Sequence, residues 1–173
     1  MKSKVLFGFI IAVFLFTGMP VWAQKAEDIQ KHPNCKYCGM DREMFNYSRM
    51  LTTYGDGSDF GACSLHCAAV ELALNIDKMP KTVMVADYSS KALIDAEQAT
   101  WVMGGSKSGV MTRTPKWAFE KKADADAFIK ENGGNLASFD SVLKASYSDM
   151  YEDTKMIREK RRMMKQKTME HKH

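Results

Sequence analysis

The sequence predicts an α+β fold of two small, similar strand-helix-strand units, the first like a treble clef, followed by a long C-terminal helix. Two observations predict the units: a turn signal is followed by a helical pattern and an apolar run, and the same order of patterns returns later in the chain. A third observation, a charged segment of helical spacing at the end of the sequence, predicts the C-terminal helix. We expect the units to occupy residues 24–97 and 98–140, and the helix residues 141–173.

Residues 1–23 precede these units and have the pattern of a secretory signal peptide. A basic start, "MKSK", leads into the apolar run "VLFGFIIAVFLF" and a small-residue exit that ends at Ala23. The apolar run is too short to span a hydrocarbon core of about 30 Å. We therefore expect cleavage after Ala23 and a periplasmic protein, soluble after cleavage and without stable membrane insertion.

The first unit begins with a polar lead and continues with a hairpin, a helix and a strand. "MFNYSRMLTTYGDGSDFGAC" contains an Asp-Gly turn signal between β-favouring segments, which predicts the hairpin. "SLHCAAVELALN" has helical spacing, with Ser64 placed as N-cap, and "TVMVADY" is typical of a buried strand.

The second unit repeats this order. "ATWVM", "VMT" and "KWAFE" suggest strands, "ADADAFIKENGG" predicts a helix that ends at glycine, and "NLASF" suggests a returning strand. In the tail, Met156, Ile157, Met163 and Met164 share one broad helical face, which predicts a packing or docking helix. Met169, His171 and His173 leave open a second possibility, a copper-collecting arm.

The charge balance excludes nucleic acid as the main partner. The chain carries a net charge of +4, and most of that excess lies in the C-terminal helix. A nucleic-acid-binding domain is expected to be far more basic over its folded body.

The four cysteines all lie in the first unit and have the spacing of a metal site. Cys35 and Cys38 form a C-x₂-C pair followed by Gly39, which suits a tight knuckle with positive φ. Cys63 and Cys67 are four residues apart at the start of the predicted helix, so that their sulfurs lie on one helix face. A knuckle, a hairpin and a helix start together predict a four-sulfur cage of the treble-clef type.

Other uses of these cysteines remain open at this point. An oxidising compartment favours two structural disulfides, and C-x₂-C also occurs at thiol-disulfide oxidoreductase sites. Covalent haem is excluded because neither pair continues as C-x-x-C-H. His66 lies between Cys63 and Cys67 and leaves open a role as metal ligand, but it should leave the opposite side of the helix, so we expect it on the surface.

The identity of the metal depends on the ligands beyond the cysteines. A closed four-cysteine site favours zinc, whereas thiolates joined by thioether sulfur favour Cu(I). Met40 follows Cys38 on the outgoing arm of the knuckle, and Met111 follows a glycine-rich segment that can close over a site. No nucleophile-base pair stands out, and we expect a protein that is not an enzyme.

The segments "CKYCGMD", "CSLHCAA", "WVMGGSKSGVMTRTPKWAF" and "ENGG" resemble those of the NosL family, the accessory proteins of nitrous-oxide reductase. The resemblance runs from about Cys35 to Asp140. It implies a periplasmic Cu(I)-binding metallochaperone that supplies copper to the copper-sulfide centre of that reductase. It also implies a fold of two similar small α/β units.

The resemblance makes Cys38 and Met40 the core metal ligands, with Met111 as a closing ligand. Cys35, Cys63 and Cys67, which lie nearby, are additional to the family pattern, and the lipoprotein cysteine common in the family is absent. The alternatives are a zinc- or disulfide-stabilised binding module without catalytic activity and, third, a thiol-disulfide oxidoreductase.

Overall fold

Two antiparallel β-sheets and a long C-terminal helix make up the computed structural model, which describes residues 25–170. The elements of the first unit are α1 (Glu27–Lys31), β1 (Met50–Tyr54), β2 (Asp59–Ala62), α2 (Leu65–Leu74), β3 (Pro80–Ala86) and β4 (Leu93–Asp95). Those that follow are β5 (Thr100–Met103), β6 (Lys116–Phe119), α3 (Lys122–Asn132), β7 (Asn135–Ala137) and α4 (Phe139–Glu170). The predicted signal peptide and the tail histidines lie outside the described residues.

The two sheets share one connectivity. The first has the strand order β2-β1-β3-β4 and the second β6-β5-β7, with every pair antiparallel. In each, a hairpin is followed by a helix and by a strand that returns to the free side of the hairpin's first strand. This arrangement confirms the predicted fold class, including the two similar units.

The predicted hairpin is β1-β2, and its turn uses the residues that the sequence indicated. The N–H of Tyr54 donates to the carbonyl of Ser58 over 2.8 Å, and Gly57 adopts a φ of +82°. Asp56 accepts a hydrogen bond from the N–H of Ser58 over 2.8 Å. The first strand begins only at Met50, because the preceding segment from Met44 to Tyr47 forms turns.

One suggested strand of the second unit is wrong. Residues 110–112 do not pair with a sheet, and Met111 adopts a φ of +61°, which an extended strand does not allow. The other suggested strands and the helix are confirmed as β5, β6, β7 and α3. Gly133 ends α3 with a φ of +73°, and its N–H donates to the carbonyl of Ile129 over 2.8 Å.

The main hydrophobic core is shared by both sheets and by α4. Met50 and Val85 reach it from the first sheet, Trp101 from the second, and Val142 from α4. The four cysteines lie at one edge of this core, three of them buried in it and Cys38 packed against it. A second cluster, built around Trp117 and Phe128, packs α3 against the other face of the second sheet. The cysteine site is therefore supported by the fold as a whole.

The C-terminal helix is one continuous element of 32 residues. It contacts the second sheet and α2, and its later part reaches the knuckle, where Arg161 bonds to the carbonyl of Cys38. No helix within residues 25–170 is long and apolar enough to cross a membrane.

Candidate metal centre

Four sulfurs converge at the junction of the knuckle and α2. The Sγ atoms of Cys35, Cys38, Cys63 and Cys67 all lie within 4.8 Å of one another, with 3.3 Å between Cys38 and Cys63 and 3.8 Å between Cys63 and Cys67. A zinc ion with four bonds of about 2.3 Å to sulfur sets its ligands about 3.8 Å apart. All four thiols are free. The donor set therefore fits a tetrathiolate metal site.

Backbone hydrogen bonds close the knuckle. The N–H of Gly39 donates to the carbonyl of Cys35 over 2.8 Å, and the N–H of Cys35 donates to the carbonyl of Met40 over 2.9 Å. Gly39 adopts a φ of +73°, as the sequence predicted. Outside these bonds, Asn34 and Asp41 form an isolated antiparallel bridge that fixes the two arms. The first cysteine pair is thus presented by a rigid loop.

The second pair is positioned by β2 and the first turn of α2. Cys63 directly follows β2, and its carbonyl accepts a hydrogen bond from the Ser48 hydroxyl over 2.8 Å. Ser64 is the N-cap residue, as predicted, but its side chain makes no capping hydrogen bond. Instead, the Ser64 hydroxyl lies 3.8 Å from the Cys63 sulfur. Cys67 follows one turn later and completes the cage.

The four thiols differ in their access to solvent. Cys35, Cys63 and Cys67 are at most 2% exposed, whereas Cys38 is half-buried. Hydrogen bonds from the other thiols, that of Cys38 first, lower the pKa of Cys35. Hydrogen bonds to Cys35 and Cys38 raise the pKa of both Cys63 and Cys67. Cys63 and Cys67 of the metal-free site therefore hold their protons more strongly than ordinary thiols, and a bound cation must displace these protons.

Arg42, which the sequence analysis did not identify, joins the two halves of the cage. Its side chain is fully buried and donates to the carbonyls of His32, Met50 and Ala62 over 2.7, 2.9 and 3.1 Å. These carbonyls belong to the chain before the knuckle, to β1 and to the residue before Cys63. The arginine therefore fixes the first cysteine pair against the second.

A carboxylate neutralises this buried arginine. Asp28 accepts from Arg42 Nη2 over 2.7 Å and from Nε and Nη2 of Arg49 over 2.9 and 3.1 Å. Burial opposes ionisation of Asp28, but the hydrogen bonds and charges of the two guanidinium groups outweigh it and lower the pKa of the carboxyl. No spacing or composition signal in the sequence brings these three residues together.

Met40 and Met111 both lie beside Cys38. They are partly buried against the main core, and they line one cavity of about 340 Å³ that Cys38 also lines. Met111 reaches this position with a φ of +61°, a left-handed conformation that is uncommon outside glycine. Such local strain is typical of functional sites, where the surrounding structure holds a side chain in place.

The surface position predicted for His66 is wrong. Its side chain is only 7% exposed, because α4 covers the side of α2 that faces away from the cysteines. His66 Nδ1 lies 3.5 Å from a carboxylate oxygen of Asp153 in α4, and burial lowers the pKa of the imidazole. The histidine is not among the donor atoms of the cage in the described part of the chain.

Comparisons with known proteins identify the family of this chain. The family model of NosL matches residues 26–147. The crystal structure of the copper chaperone NosL from Shewanella denitrificans is similar in fold, with a TM-score of 0.52 and 28% sequence identity over 67% of this chain and 93% of that one. A search of curated proteins gave no match. Since the family model spans well over half of the sequence and includes all four cysteines, this chain belongs to the NosL family.

Proposed function

We propose that the protein is a Cu(I)-binding metallochaperone that holds copper at the cysteine cage and releases it through Cys38. The observation that carries the proposal is the position of Cys38. It belongs to the cage, and it is the one cage thiol that lines the cavity shared with Met40 and Met111. A carrier needs both tight ligands and one ligand that an acceptor can reach.

The combination of thiolate and thioether supports copper as the cargo. Soft sulfur ligands favour Cu(I), and thioethers contribute little to a zinc site. Met40 and Met111 come from segments more than 60 residues apart in the sequence, yet both line the cavity that Cys38 also lines.

The acceptor that we propose is the copper centre of nitrous-oxide reductase, reached in the periplasm after removal of residues 1–23. Supporting this are the membership of the NosL family, the copper-chaperone activity of the similar protein from Shewanella denitrificans and the signal-peptide pattern of the N-terminus. The protein binds and transfers copper and catalyses no reaction of its own.

The experiment is a competition between the reduced mature protein and a strong Cu(I) chelator without oxygen. We expect one tightly bound Cu(I), weakened strongly by Cys38→Ser and less by Met40→Leu, since the cysteine supplies charge as well as sulfur. Met44→Leu is the matched control, because Met44 is 70% exposed and lies outside the cavity. Transfer is then measured by mixing the loaded protein with metal-free nitrous-oxide reductase. Copper affinity that is the same in all three variants contradicts the proposal.

A second candidate is a structural zinc site in a binding module. The three buried cysteines and the sulfur spacing favour it, because a closed tetrathiolate cage is the usual structural zinc site. If the site is a structural zinc site, protein purified without oxygen retains one zinc. The variants Cys38→Ser and Met40→Leu then leave copper binding unchanged. Metal content and thiol count of the native protein therefore separate the two functions.

A further inference from the structure

The cavity beside Cys38 has a third wall, which comes from α4. Met156 and Met164 line it together with Met40 and Met111, so four thioethers and one thiol border the same space of about 340 Å³. The family model ends at residue 147, and both α4 methionines lie beyond it. This wall is therefore a feature of the C-terminal extension of this chain.

A hydrogen bond holds the extension against the knuckle. Arg161 Nη2 donates to the carbonyl of Cys38 over 2.9 Å, across 123 residues of sequence. Met156 precedes Arg161 in the helix and Met164 follows it, and all three residues line the cavity. The cavity wall is thus tied to the backbone of the accessible cysteine.

We infer that this cavity holds a second Cu(I) site, distinct from the cysteine cage, in which Met156 and Met164 of α4 act as the ligands. The inference rests on the proposed copper-carrier function and adds to it a site at which copper binds before it reaches the cysteine cage. Neutral thioethers select Cu(I) over divalent ions that prefer oxygen or imidazole, and no carboxylate or histidine lines the cavity within the described residues.

Simple helix packing explains these methionines less well. A stripe that serves only to bury apolar surface should itself be covered, yet Met164 is 68% exposed while it borders the cavity. Lys160 and Arg161 also stand at the rim, and their positive charge opposes entry of a cation. The site therefore binds copper through sulfur coordination alone, and its affinity is lower than that of the thiolate cage.

Transfer from this site to the cage is a ligand exchange without a redox step. Copper remains Cu(I) throughout. Its bonds to the thioether sulfurs break as a bond to Cys38 Sγ forms, and a thiol that becomes a ligand gives its proton to water. Cys38 is suited to this exchange because it borders the cavity and lies 3.3 Å from Cys63 in the cage.

The test is a Cu(I) titration of the reduced full-length mature protein and of the double variant Met156→Leu/Met164→Leu. Leucine keeps similar volume and helix propensity but removes the sulfur. We expect the wild-type protein to bind a tight first equivalent and a weaker second one, and the double variant to lose only the second. Met150→Leu/Met163→Leu is the matched control, since it removes two methionines of the same helix that do not line the cavity.

Methyl NMR of methionine in the wild-type protein adds a readout that affinity does not provide. The second equivalent should shift the methyl carbons of Met156 and Met164. A wild-type protein that takes up only one copper, or a double variant that keeps both, overturns the inference and leaves the proposed function intact. Absence of the tight first equivalent from the wild-type protein, in contrast, counts against the proposed function itself.

Discussion

Replacement of Asp28 by asparagine tests whether a buried ion network holds the metal cage together. The carboxylate is the shared partner of Arg42 and Arg49, whose side chains are 0% and 3% exposed. Asparagine at this position keeps the size of the side chain and removes its charge, which leaves two guanidinium groups buried without a counter-ion. Loss of one partner from a buried ion pair costs about 3–5 kcal/mol.

That loss is a large part of the stability of a domain of this size, for which the free energy of unfolding is about 5–15 kcal/mol. Urea denaturation of the reduced, metal-free protein measures it. Asp126→Asn is the control, since Asp126 forms an exposed ion pair with Lys122 within α3 and such pairs contribute about 0.3–0.5 kcal/mol. An Asp28→Asn protein within about 1 kcal/mol of the wild type would refute the role assigned to this network.

The pH dependence gives an independent check of the same network. The pKa of Asp28 in the folded protein is below its usual value of 3.8, so its contribution is complete above that value and is lost as the pH falls through the folded-state pKa. The stability difference between the wild type and Asp28→Asn should therefore be constant near neutral pH and shrink in acid. A difference that does not change with pH below 3.8 contradicts this assignment of charge.

Two further predictions concern the thiols. Because the pKa values of Cys63 and Cys67 are raised and both thiols are protonated near neutral pH, metal uptake should release protons, and metal affinity should rise by about tenfold per pH unit for each proton displaced. Titration with metal in a weak buffer that contains a pH indicator measures the released protons. Metal binding without proton release would show that the thiols are already ionised. Oxidant should remove thiols from the metal-free protein in pairs and abolish metal uptake until reductant restores both, whereas loaded protein should resist oxidation. Quantitative disulfides in the isolated native protein would favour the disulfide-stabilised alternative.

Local signals explain why much of the fold is predictable from the sequence. The turn at Asp56-Gly57 needs only residues that are neighbours in the chain, and so do the N-cap position of Ser64 and the glycine end of α3. The four-cysteine cage is also predictable, because a knuckle and a helix start each bring two sulfurs together over a few residues. Joining the pairs requires only one hairpin.

The parts that sequence reasoning misses depend on contacts between distant residues. The short helix α1 and strand β4 have no clear periodicity, and each is stabilised by what it packs against. The sequence gives no sign that α4 covers α2, which is why the surface position predicted for His66 is wrong. Arg42 is an ordinary charged residue in the sequence, and its role follows from the carbonyls that surround it in the fold.

Under the proposed function, the position of Cys38 would link retention of the metal to its release. A cation held by Cys35, Cys63 and Cys67 is shielded from any acceptor, because these thiols are almost fully buried. We therefore propose that exchange begins at Cys38, which is half-buried and lines the methionine cavity. Arg161 bonds to the Cys38 carbonyl at the same place, so displacement of α4 by an acceptor would open the cavity and loosen this cysteine together. On this view, the helix that admits copper is also the element whose movement allows copper to leave.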